Sequence, residues 1–104
     1  MNTHKRGDTW RYIHFADIKD HTGAAVNLTG WILSSQIRVN DSLLATLTCS
    51  WTNVGAQEFQ TYLADTTAWP LGLAEMDVQF TAPGGDIVSW PTVTIDIAKD
   101  VTHA

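Results

Sequence analysis

The segment that most restricts the fold is Asn27 to Arg38, where turn chemistry runs straight into a strict two-residue alternation. Asn27, Thr29 and Gly30 supply the turn: glycine takes positive φ without a Cβ clash, and Asn and Thr side chains bond nearby backbone groups. From Trp31 onward, Trp31, Leu33, Ser35 and Ile37 fall on one side, and Ile32, Ser34, Gln36 and Arg38 on the other. That period belongs to a strand with one face on a core.

The same rhythm recurs along the chain, broken by turn residues. Thr9 to Ile18 reads as a first strand, with Trp10, Tyr12 and Ala16 opposed to Ile13 and Phe15. Lys19 to Gly23 closes a hairpin, and Ala24 to Leu28 is a short return segment. After a turn at Val39 to Ser42, the strand Leu43 to Trp51 puts Leu43, Ala45, Leu47, Cys49 and Trp51 on the core side. Thr52 to Ala56 turns the chain, and Glu58 to Leu63 follows with Phe59, Thr61 and Leu63 inward. Ala64 to Trp69 has helical character that Pro70 cuts off, which predicts one short helical connector. Leu71 to Phe80 is a strand with Ala74, Met76, Val78 and Phe80 inward, and Ala82 to Asp86 is the strongest turn. Ile87 to Ile97 is read as one last strand with Ile87, Val93, Ile95 and Ile97 on the core side and Val88 and Trp90 outward; Pro91 marks an edge or bulge.

About seven short strands, no long helix and no strand–helix–strand rhythm predict an all-β, antiparallel β-sandwich of immunoglobulin-like size, with a small barrel as the alternative. The 104 residues make room for a single domain, 1–104, with 1–7 a flexible leader and 103–104 a tail. His4-Lys5-Arg6 belongs to that solvated leader. Six Lys and Arg against eleven Asp and Glu give −5, which offers no cationic surface for nucleic acid. No run reaches the ~18 apolar residues of a membrane span. The first residues lack the apolar core of a signal peptide, so synthesis is expected in the cytoplasm. The single cysteine, Cys49, excludes an internal disulfide and reads as a buried, inert, small hydrophobe.

Residue patterns offer no catalytic, cofactor or metal site. His4, His14, His21 and His103 lack paired-ligand spacing, and no serine sits in a Gly-x-Ser-x-Gly elbow. Glu75 and Asp77 share a strand face, but alternating charges on an outward face are what a strand presents anyway. The five tryptophans are more informative, because a core of this size encloses only some of them. Trp90 and Val88, with Trp10, are therefore the expected interface residues, since aromatic residues are enriched where proteins meet.

Taken in order, several motifs form a resemblance: Gly7-Asp8-Thr9-Trp10; Gly23 with Val26-Asn27-Leu28-Thr29-Gly30-Trp31; Gln36-Ile37-Arg38; Leu63 to Pro70 with Gly72; Met76 to Phe80; and Asp100-Val101-Thr102. Over about residues 7–102 the chain resembles small immunoglobulin-like β-sandwich proteins and domains of tailed bacteriophages and prophages, similar to the N-terminal domain of baseplate upper proteins. The resemblance implies a virion structural protein of tail, baseplate, neck or head surface. It implies no enzymatic activity and no cofactor, with other virion proteins as partners and a homo-oligomer or symmetric assembly as the working form. Its place would be the virion, after synthesis in the bacterial host cytoplasm, with no nucleic acid or membrane bound. A carbohydrate-binding, host-adhesion module using exposed tryptophans to stack on glycan is the rival expectation.

Overall fold

Asn40 and Asp41 sit at φ +51° and +64°, a left-handed pair that closes the tightest hairpin of the chain. In the computed structural model, which describes residues 2–99, that hairpin joins β3 (Ile32–Val39) to β4 (Ser42–Asn53). The other strands are β1 (Asn2–Lys5), β2 (Trp10–Phe15), β5 (Glu58–Leu63), β6 (Gly72–Thr81), β7 (Ile87–Ser89) and β8 (Val93–Ala98). The fold is all-β. Neighbours run β1-β8-β6-β3-β4-β5-β2, with β7 on β6, and this eight-stranded sheet curls until it is nearly a barrel.

The long β4 makes the curl. Its first half, Ser42 to Leu47, pairs with β3, and its second half, Thr48 to Asn53, pairs with β5. Each half carries an irregularity. Ala45 faces Ile37 while Leu43 faces Arg38, so Leu44 is the extra residue of a bulge. A bulge bends its strand and reverses the side-chain phase beyond it, and Leu43 accordingly lies exposed on the surface rather than in the core where alternation alone puts it.

Three expectations are corrected at the level of elements. Within the expected flexible leader 1–7, Asn2 to Lys5 instead form a strand paired in parallel with β8, Asn2 opposite Ile95 and Lys5 opposite Ala98, and His4 is 2% exposed. Residues 64–69 form a turn closed by the Trp69 N–H on the Thr66 carbonyl at 3.1 Å, with no helix; the one helical turn among the described residues is a 3₁₀ segment at Val54–Ala56, capped by Asn53. The last strand is two strands, broken at Trp90-Pro91-Thr92. The break shifts the phase by one residue: Val88 pairs with inward-facing Phe80, and Val93, Ile95 and Ile97 resume the inward face after it. Ile87 is therefore the outward residue of that pair. The expected tail at 103–104 lies outside the described residues.

The core runs the length of the curled sheet. Leu28, Ile37, Leu47, Phe59, Val78, Phe80, Met76, Ile95 and Ile97 fill it, and Trp10 and Trp69 close one end. At roughly 25 cal/mol per Å² of apolar surface, burial of such side chains is the main stabilising term. Phe59 stands edge-on to Phe80 at 5.5 Å between centroids, a geometry that aromatic quadrupoles favour.

Candidate functional site

The two ends of the sheet, β1 and β2, meet at one point and then diverge. Between them opens a groove of about 360 Å³. Its walls come from β1 (Asn2, Thr3, His4) and β2 (Tyr12, Ile13, His14), and its floor from Met76, Trp90 and Ile95.

The meeting point is a buried polar knot centred on His4. Nε2 lies 3.0 Å from the Asp8 carbonyl, an acceptor only, so that nitrogen carries the proton; Nδ1 then accepts from the Tyr12 hydroxyl at 2.7 Å. Thr66 completes the knot by donating to the same carbonyl at 2.7 Å and accepting the Gly7 N–H at 2.9 Å. Burial lowers the His4 pKa, and the nearby Asp8 carbonyl and charge only partly oppose it. The Tyr12 hydroxyl is held protonated by burial first and the Asp8 charge second. The neutral imidazole is thus the form this site accommodates.

A second knot lines the groove. The Thr61 hydroxyl, fully buried, accepts the Trp10 Nε1–H at 2.9 Å and lies 2.8 Å from His14 Nε2. Its proton has no other acceptor within reach among the described contacts, so it goes to His14 Nε2. Burial lowers the His14 pKa as well. His14 stacks on Phe59 at 5.1 Å and meets the edge of Trp90 at 5.9 Å.

Of the expected interface residues, Trp10 is 2% exposed and locked to Thr61, so it cannot meet a partner. Trp90 also turns inward: its ring packs on Phe59 and Phe80, and Nε1 donates to the Ala16 carbonyl at 2.9 Å. The reason is the phase shift at Pro91, which puts Trp90 on the core side. Val88 keeps partial exposure, 37%, at the edge of the sheet. Cys49 is half-buried and its thiol is pushed up to about 11 by that burial, which keeps it protonated near neutral pH.

What the sequence reading did not single out is the outer side of β2. Ile13 is 50% and Phe15 58% exposed, two residues apart on one face. The signal was present as their opposition to Trp10 and Tyr12. Apolar residues on both sides of a strand do not by themselves tell a covered face from an exposed one. Glu75 and Asp77 lie outward as expected; Asp77 accepts from the Thr92 hydroxyl at 2.9 Å and borders a second, polar furrow with Ser34, Gln36, Arg38 and Gln79. Among the described residues no group of His, Cys, Asp or Glu gathers as metal ligands, and no helix is long and apolar enough to cross a membrane.

Models of known protein families, curated proteins and solved structures yield no match to this chain.

Proposed function

We propose that this protein is a structural component of a tailed-bacteriophage particle, in tail, baseplate, neck or head surface, and that it works by protein–protein assembly without catalysis or cofactor. The phage assignment comes from the motif order over residues 7–102. The assembly role is supported by one observation above others: β2 is an edge strand whose outward face carries Ile13 and Phe15 in the open. Exposed apolar strand edges are features that soluble monomers avoid and that partners cover. On this reading the curled sheet serves as an immunoglobulin-like sandwich, β4 passing from one layer to the other where its partner changes from β3 to β5. The chain is made in the host cytoplasm and ends in the virion.

The test is mass spectrometry and antibody labelling of density-banded particles from the host that carries the gene. The chain is expected in the particles at a fixed ratio to the other structural proteins. Its presence in the lysate together with its absence from intact particles overturns the proposal.

A second reading, glycan binding, is favoured by the polar furrow. Gln36, Arg38, Asp77 and Gln79 converge there, with Arg38 Nη2 already donating to Gln36 Oε1 at 2.6 Å. Planar amides, a carboxylate and a guanidinium suit the hydroxyls of a sugar. Glycan-array binding that is lost on Arg38→Ala would move the function toward host adhesion.

A further inference from the structure

The exposed edge is specific enough to name its partner. In an antiparallel ladder, alternate residues turn their backbone N–H and C=O toward one neighbour, and the residues between turn theirs the other way. Ala16 donates its N–H to the Gln57 carbonyl at 2.9 Å, which places Ala16, His14, Tyr12 and Trp10 as the residues bonded to β5. The N–H and C=O groups of Arg11, Ile13 and Phe15 therefore point away from β5, along the free edge. Their side chains also stand on the outward face.

The other strands with a single neighbour, β1 and β7, have blunted edges. β1 is four residues long, and its Lys5 carbonyl is taken by the Asp8 N–H at 3.1 Å. β7 has three residues. β2 offers an open ladder with large apolar residues beside it, and it contains no Pro, no Lys and no bulge within its paired length.

We propose that β2 pairs antiparallel with β2 of a second copy of this chain, about a twofold axis through Ile13. The register follows from the edge. Ile13 faces Ile13 of the second copy, and Arg11 faces Phe15 of the second copy, so every free N–H meets a free C=O. The charges agree with the same register. On β5, Tyr62 lies opposite Arg11, and Glu58 lies opposite Phe15. Across the twofold, one row reads Tyr62, Arg11, then Phe15 and Glu58 of the second copy, and the symmetric row repeats it. The Arg11 guanidinium already lies over the Tyr62 ring, 5.0 Å from its centroid. In the pair it has an aromatic ring on each side and a carboxylate beyond, within reach of a long side chain across strands about 4.8 Å apart. Glu58 has one oxygen bonded by the Thr52 hydroxyl at 2.6 Å and the other free for Arg11. A slipped register loses this match, and a parallel pairing places Arg11 against Arg11.

This inference rests on the assembly reading and deepens it by naming one contact; its test separates the two. Sedimentation velocity of the full chain over a concentration series should show a monomer–dimer equilibrium. Ile13→Lys should leave a monomer with an unchanged circular dichroism spectrum. Arg11→Glu and Glu58→Arg should each weaken the dimer at least tenfold, and the double variant R11E/E58R should restore it, because reversal keeps the pair intact. These two side chains lie on the surface, so the charge variants report association even if Ile13→Lys perturbs folding. A wild-type chain that stays monomeric at its solubility limit, or a dimer that the double reversal fails to restore, overturns the proposal. Incorporation into particles by a monomeric chain would leave the virion role standing and remove this contact; a dimer absent from particles would do the reverse.

Discussion

Gln57 holds Ile18 as a neighbouring strand would: its side-chain oxygen accepts the Ile18 N–H at 2.7 Å, and its side-chain nitrogen returns a proton to the Ile18 carbonyl at 2.9 Å. The same nitrogen donates to the Val26 carbonyl at 2.8 Å, and the residue itself sits at φ +57° with its backbone tied to Val54 and Ala16. One buried amide thus anchors both ends of a hairpin that closes on itself through the Val26 N–H on the Ile18 carbonyl at 3.0 Å.

Gln57→Ala should therefore destabilise the protein by about 3 kcal/mol, since buried backbone groups lose partners that water does not replace. Gln57→Glu should be similar, because a carboxylate offers no donor to two carbonyls. Urea unfolding checks both. A midpoint within error of wild type would show that the hairpin is held by other contacts.

Gly30 is at φ +85°, and a Cβ built on it would stand 3.3 Å from Cγ of Pro83. Gly30→Val meets both the left-handed penalty and that close approach, so a loss of about 2 kcal/mol or more is expected. Gly23, at φ +86° with open space around it, provides the control: Gly23→Val tests conformation without contact. Thermal melts should rank Gly30→Val below Gly23→Val.

Trp90 belongs to the fold. Trp90→Ala removes a ring packed on Phe59, Phe80 and His14, and should cost about 3 kcal/mol, with Trp90→Phe intermediate because only the bond to the Ala16 carbonyl is lost outright. Chemical denaturation measures this. A Trp90→Ala protein as stable as wild type would return Trp90 to the surface.

Acid should weaken the structure in two stages. His4 and His14 have folded pKa values lowered by burial, so below the unfolded value near 6.5 the unfolded chain binds more protons than the folded one. Stability is then fully present above about pH 6.5 and falls as pH drops toward the lowered values. Asp20 and Asp65, whose carboxylates are stabilised by hydrogen bonds from Thr22 and Thr67, are likewise lowered and add loss only below their usual range near 3.8. Denaturation midpoints between pH 8 and 5 should decline on the acid side, and His4→Gln should flatten that decline. A level profile across this interval would mean that neither imidazole is held neutral.

Where local pattern and burial coincide, the sequence was easy to read. Glu58–Leu63 has the expected bounds, Ala74, Met76, Val78 and Phe80 face inward, and Gly30 has the positive φ its turn called for. The failures have a common physical origin in contacts remote along the chain. β1 has no apolar alternation, and its burial comes from pairing with β8 and from the partners of His4. Leu43, Val88 and Trp90 changed face because a bulge at Leu44 and the break at Pro91 each insert one residue of phase. Gln57 falls between the turn Thr52 to Ala56 and the strand Glu58–Leu63, and its amide finds its use only where the hairpin returns to it at Ile18 and Val26.

The parallel pairing of β1 with β8 also sets an order of events during synthesis. Asn2 leaves the ribosome well before its strand partner Ile95, which lies far along the chain. Until then, β1 has no ladder to join, His4 has no finished pocket, and the apolar edge of β2 is exposed. Such a long closure slows the final step of folding and leaves nascent chains prone to premature association. A ribosome stalled before β8 should accordingly carry a chain that proteases still cut near β1, and release of β8 should end that sensitivity.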